Sequence, residues 1–121
     1  MNIRIGHGAG DLAGHVVESD MIKHFLAAFA LWYIMKKPVH VYELVKVMQD
    51  DGMLKASYAR MHPIISELEK NKLIKGKAGE KTGRKVRVYS ITPAGKKQLE
   101  MGKRHFFKGL KKEFLRDMMG L

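Results

Sequence analysis

One continuous block, residues 57–95, constrains this chain more than any other feature. It opens on Ser57, a residue type that caps helices. The run SYARMHPIISELEKNKLI follows, with Met61, Ile64, Ile65 and Leu68 recurring at helical spacing. A basic stretch, KGKAGEKTGRKVRVYSIT, then reads as a hairpin with strands at Leu73–Ala78 and Lys85–Ile91 and its tip at Gly79–Arg84. Val86 and Val88 alternate with Arg87 and Tyr89, which predicts one apolar and one polar face. Thr92 caps a new helix, with Pro93 at its first position. Helix, charged two-stranded wing and helix, in that order, predict a winged helix-turn-helix.

The flanking residues complete an α+β, mainly α, architecture. Residues 1–18 hold Gly6, Gly8, Gly10 and Gly14, a spacing that opposes a stable helix and predicts a flexible extension, partly helical from Gly14. Ser19 or Asp20 can cap a first helix reaching about Lys37, where Pro38 stops it. Ile22, Phe25, Leu26, Phe29, Leu31, Trp32, Ile34 and Met35 cover most of its circumference, so it must be buried on more than one side. A second helix is predicted over Val41–Asp50, its packed stripe being Val41, Leu44, Val45 and Met48, and Gly52 suits its left-handed end. The third helix runs from Ser57 to about Asn71. The last extends from Thr92 towards Met118, with Leu99, Phe106, Leu110, Phe114 and Met118 in one stripe. Three parts result: an extension over 1–18, a winged-helix domain over 19–95 and a C-terminal dimerisation helix over 96–121.

Charge narrows the function. The chain carries a formal +11, and residues 70–87 alone hold eight bases against one acid. Residues 96–121 hold eight bases against three acids. Positive charge gathered on a hairpin and a terminal helix is the footprint of a polyanion binder. The absence of cysteine excludes disulfides, thiolate metal sites and thiol catalysis. The six histidines show no i, i+4 pairing, so no metal and no cofactor are expected. No carboxylate pair or nucleophile–base set suggests an enzyme. The longest apolar stretch, Phe25 to Met35, falls short of the roughly 20 residues a bilayer span needs. A cytoplasmic, nucleoid-associated location with no membrane partner is expected.

Three stretches carry a family likeness. Pro38-Val39-His40-Val41-Tyr42-Glu43-Leu44, then Met61-His62-Pro63 with Leu68-Glu69 and Leu73-Ile74, then Gly83-Arg84-Lys85-Val86-Arg87-Val88-Tyr89-Ser90-Ile91-Thr92-Pro93-Ala94-Gly95 stand in order. Together they resemble the PadR-type winged-helix transcriptional regulators over about Leu26 to Leu99, and also fit the small archaeal winged-helix regulators that blur into that family. Val41, Ala59, Arg60, His62 and Lys72 depart from the family pattern, which argues against its usual operator preference. The resemblance implies a DNA-binding regulator, most simply a repressor.

The candidate DNA contacts follow from position. Ser57, Tyr58, Arg60 and His62 lie at the N-terminal end of the third helix, where free N–H groups and the helix dipole attract phosphate. Arg60 can also take a guanine bidentately. Ser66 and Lys70 lie further along the exposed side. In the hairpin, Lys81, Thr82, Gly83, Arg84, Lys85 and Arg87 suit phosphate tracking, with Arg84 or Arg87 able to enter a minor groove. Phe25, Phe29, Trp32, Leu99, Phe106, Leu110 and Phe114 are the candidate homodimer interface, and the aromatic residues among them could instead line a pocket for a small-molecule effector. Two other readings of the chain stay open: a sequence-tolerant, nucleoid-shaping DNA binder and a winged-helix protein-interaction module.

Overall fold

The computed structural model describes residues 9–53 and 55–120. Five helices and one hairpin follow in the order α1 (Ala9–Lys36), α2 (Val41–Asp50), α3 (Tyr58–Lys70), β1 (Ile74–Lys81), β2 (Arg84–Ile91), α4 (Pro93–Phe106) and α5 (Leu110–Met119). The winged helix-turn-helix expected from the sequence is present, with α2 and α3 as the helix pair and β1–β2 as the wing. No helix among the described residues is long and apolar enough to cross a membrane.

The core forms where the sequence periodicities intersect. Leu26, Ala30, Leu31 and Ile34 of α1 meet Val41, Leu44, Val45 and Met48 of α2 and Met61, Ile64, Ile65 and Leu68 of α3, all of them buried. Each set recurs at three- and four-residue steps, so each helix presents one apolar stripe to the others. Caps fix where the helices begin. The His40 imidazole Nδ1 accepts from the Glu43 N–H at 3.1 Å, and Ser57 Oγ accepts from the Arg60 N–H at 3.1 Å. Gly52, at φ +90°, supplies the left-handed residue after α2.

Four expectations are corrected. The first helix begins at Ala9 rather than at Ser19 or Asp20, so the boundary expected at residue 18 falls within it. Gly10 and Gly14 each cost about 1 kcal/mol relative to Ala, but extension of an existing helix adds a hydrogen bond per residue and carries through them. The other residues of the expected extension, 1–8, lie outside the described residues. The hairpin is longer and its tip tighter than Gly79–Arg84: Lys81 pairs with Arg84, and only Thr82 and Gly83 turn the chain. Both have positive φ, 48° and 77°, the primed turn whose twist matches that of the strands.

The third correction concerns the faces of β2. Tyr89 is buried and Ile91 half-buried, so the side of β2 that meets the helices is the one carrying Arg87, Tyr89 and Ile91. Tyr89 also exchanges both backbone hydrogen bonds with Val39, at 3.2 and 2.8 Å, which pins the wing to the α1–α2 connection. Finally, the last helix is two helices. The chain breaks after Phe106, and Gly109, at φ +65°, begins α5 without a side-chain cap. An apolar stripe at helical spacing cannot reveal a break when the residues on either side keep the period.

Candidate nucleic-acid interface

Helix α3 buries Met61, Ile64, Ile65 and Leu68, and at 3.6 residues per turn its outermost line is therefore Ala59, Pro63, Ser66 and Lys70, all exposed. Ser66 and Lys70 sit where the sequence places them, on the outward face. The expected contacts at the N-terminal end divide between the two flanks. Arg60 lies on the α1 side, sharing a shallow groove with Lys23, Ser57, Ala59, Pro63, Ile64 and Glu67. There Lys23 Nζ pairs with Glu67 at 3.2 Å. Ser57's hydroxyl oxygen is engaged in capping α3, so its outward role is limited to what the cap leaves free.

Tyr58 and His62 occupy the opposite flank, towards α2 and the wing. Tyr58 stacks on Tyr42 of α2 with ring centres 4.6 Å apart and planes 11° from parallel, and His62 leans on Tyr58 at 5.5 Å. The Arg84 guanidinium from the wing tip lies 6.0 Å from the Tyr42 ring centre. Partial burial, and then the adjacent Tyr42 phenol, raise the Tyr58 hydroxyl above the ordinary tyrosine range. Tyr42 belongs to this cluster and was not among the residues singled out from sequence. It is 54% exposed. The available signal was its place one residue off the packed stripe Val41, Leu44, Val45 and Met48: an aromatic side chain there has no core position to fill.

On the wing, Thr82, Gly83, Arg84 and Lys85 are exposed at the tip as expected. The side chain of Lys81 lies outside the described residues. Lys72, Lys75 and Lys77, also exposed, extend the basic surface down the stem. Arg87 is differently placed. Its Nη2 is 2.5 Å from Oε2 of Glu69 on α3, and its Nε is 3.4 Å from Oε1. Hydrogen bonding to Arg87 holds the Glu69 carboxyl below the usual carboxylate range, and the same bond raises the guanidinium.

The candidate dimer residues also divide. Phe25 and Trp32 are exposed on α1, and Leu110 and Phe114 on α5. Phe29 and Leu99 are half-buried against their own chain's core, which reduces what they can offer a partner. The side chain of Phe106 lies outside the described residues.

A helix presented outward beside a basic hairpin matches known proteins. The model of the PadR-like family of transcriptional regulators matches residues 31–101, more than half of the chain. The chain belongs to that family. The match spans the end of α1, the helix pair, the wing and most of α4. A PadR-like transcriptional regulator from Bacillus cereus is 28% identical, with a TM-score of 0.69 over 83% of this chain and 96% of its own. A transcriptional regulator from Clostridium thermocellum is 25% identical, with a TM-score of 0.65 over 82% and 94%. A protein from Thermoplasma acidophilum, 21% identical over 84% and 97%, shares the fold with a TM-score of 0.67. No curated protein matches the chain. As a PadR-like protein it is a DNA-binding transcription regulator and not an enzyme.

Proposed function

We propose that this PadR-like chain is a sequence-specific regulator that binds double-stranded DNA as a homodimer and represses transcription. The observation that carries the reading is the common placement of α3's exposed line and the exposed cationic wing, which suits a helix in the major groove and a hairpin on the adjacent backbone. Residues 19–95 would supply DNA binding and 96–121 the dimer contact, joined by the exposed apolar side of α1. Repression by occupancy requires only tight binding at a promoter. Its place of action is then the cytoplasm, on the nucleoid, and a small-molecule effector between the helices of the dimer is compatible with this scheme.

Selection from random DNA tests the reading. A two-fold dimer should enrich inverted half-sites centred about 10 base pairs, or a multiple, apart. Arg60→Ala should cost about 1–3 kcal/mol on the selected site and leave random DNA nearly unaffected. Equal losses on both would make Arg60 a phosphate contact, consistent with its place on the flank of α3. The alternative reading, a sequence-tolerant architectural binder, is favoured by the eight bases against one acid in residues 70–87. An absence of any enriched sequence would establish it.

The wing carries its own prediction. Each phosphate neutralised contributes about 0.9 to the slope of log affinity against log salt. Replacing Lys81, Arg84 and Lys85 together with Ala should therefore weaken binding and make the slope shallower by about two to three contacts. Titration at several salt concentrations measures this, and an unchanged slope would place the wing tip off the DNA.

A further inference from the structure

We propose that Arg87 is a positioning residue: clamped by Glu69, it fixes the wing against the recognition helix and neutralises no DNA phosphate. The inference rests on the DNA-binding reading above and reassigns one of its basic residues.

Strand alternation is the first argument. Side chains two apart share a face, so Arg87 lies on the side of β2 that also carries buried Tyr89 and half-buried Ile91. That side meets the helices. Arg84, by contrast, stands at the exposed tip.

The second argument is geometric. Two guanidinium nitrogens face two carboxylate oxygens, at 2.5 and 3.4 Å, an arrangement that fixes orientation as well as distance. A Cβ at Gly76 of β1 would run into the guanidinium, so Arg87 lies close across the β1 backbone, in space that glycine leaves open. The guanidinium is also 6.0 Å from the Tyr89 ring centre. One side chain thus touches α3, β1 and β2.

The third argument separates position from stability. The two side chains are 53% and 29% exposed, and ion pairs this open to water add little to folding. What the pair does fix is the angle between two DNA-facing elements, at a point between the wing's base and the Arg84–Tyr42 contact at its tip. It also covers a carboxylate: Glu69 lies on α3's wing-side flank, where an unpaired negative charge would face the phosphates. With Glu69 as its counterion, Arg87 releases none to solvent when DNA binds.

The absence of native cysteine allows a direct test. Spin labels at Ser66→Cys on α3 and Lys85→Cys on the wing, in dimers diluted with unlabelled chain, report the helix–wing distance by electron paramagnetic resonance. The expected result is a narrow distribution that broadens in Arg87→Gln and equally in Arg87→Lys, because lysine keeps the charge but cannot form the fork. On a random-sequence duplex, Arg87→Gln combined with Glu69→Gln, which leaves no bare carboxylate, should leave the salt slope unchanged. Glu69→Gln alone, which frees the guanidinium, should steepen it by about 0.9. Where selection yields a preferred site, Arg87→Gln should reduce the preference over random DNA by about tenfold, a usual size for coupled contacts. A distance distribution insensitive to Arg87, or a slope made shallower by about 0.9 in the double variant Arg87→Gln with Glu69→Gln, overturns the proposal. The distance and slope measurements need no preferred site, so failure of sequence specificity would register separately, in the selection.

Discussion

Gly95→Ala is expected to destabilise the protein by about 3 kcal/mol, at the upper end of what overpacking costs. The first turn of α4 is pressed onto the junction between α3 and β1. Thr92 donates its backbone N–H to the Leu73 carbonyl at 3.1 Å, and its hydroxyl lies 2.7 Å from the Lys72 carbonyl and 3.0 Å from that of Leu73. The same hydroxyl oxygen accepts from the Gly95 N–H at 3.0 Å, closing the cap. Gly95 is buried, and a methyl group there would overlap the Leu73 carbonyl oxygen and sit 2.7 Å from Ile91 Cγ1. The obstacle is backbone already fixed by hydrogen bonds, so it cannot swing aside as the end of a side chain could. Relief requires moving α4 or the start of β1, and either movement breaks the Thr92 contacts. At roughly 4–8 °C per kcal/mol for a domain of this size, melting should fall by more than 10 °C. Gly102→Ala is the control: it lies in the same helix with open space around it, and should stabilise by about 0.5–1 kcal/mol. A neutral Gly95→Ala in thermal or urea melts would mean that the first turn of α4 is not pressed against the Leu73 carbonyl.

Much of this architecture was legible because single elements follow strong local rules. The bounds of α2, the cap at Ser57, the Thr92-Pro93 start of α4 and every buried residue of α2 and α3 follow from spacing and cap chemistry. What could not be read depends on partners distant in sequence. Arg87 looks like any other wing base until β2 is seen to turn that side inward, and Tyr89 looks polar until Val39 pairs with it across fifty residues of chain. Alternation gives two faces but not which one meets the core; here the valines lost to the tyrosine and isoleucine. Tyr42 acquires its meaning only through Tyr58, on another helix, and Arg84, on the wing. The break at Gly109 was hidden for the opposite reason, since the apolar residues around it keep helical spacing through a point where the backbone does not.

Replacing Leu110 and Phe114 with Asp together is expected to convert the proposed dimer into a folded monomer and to lower DNA affinity by about a hundredfold or more. Leu110 and Phe114 are four residues apart on one side of α5, 80% and 63% exposed, with Met118 continuing the line. Phe25 and Trp32 supply a second exposed apolar strip on α1. Two such strips of exposed apolar surface on a small chain are what a second copy covers. Helix α5 buries no residue within its own chain, so two aspartates there should leave the core intact and act on association alone. The affinity loss follows from linkage: joining two DNA-binding modules raises overall binding by about 10²–10⁴ over either alone. The salt slope should fall to about half as well, because a monomer reaches half the phosphates. Light scattering should give about twice 13.8 kDa for the wild type and a single chain for the variant, with the helical circular dichroism unchanged. A wild-type chain that scatters as a folded monomer would overturn the dimer. A variant that stays dimeric would place the interface on α1 and leave α5 for another partner.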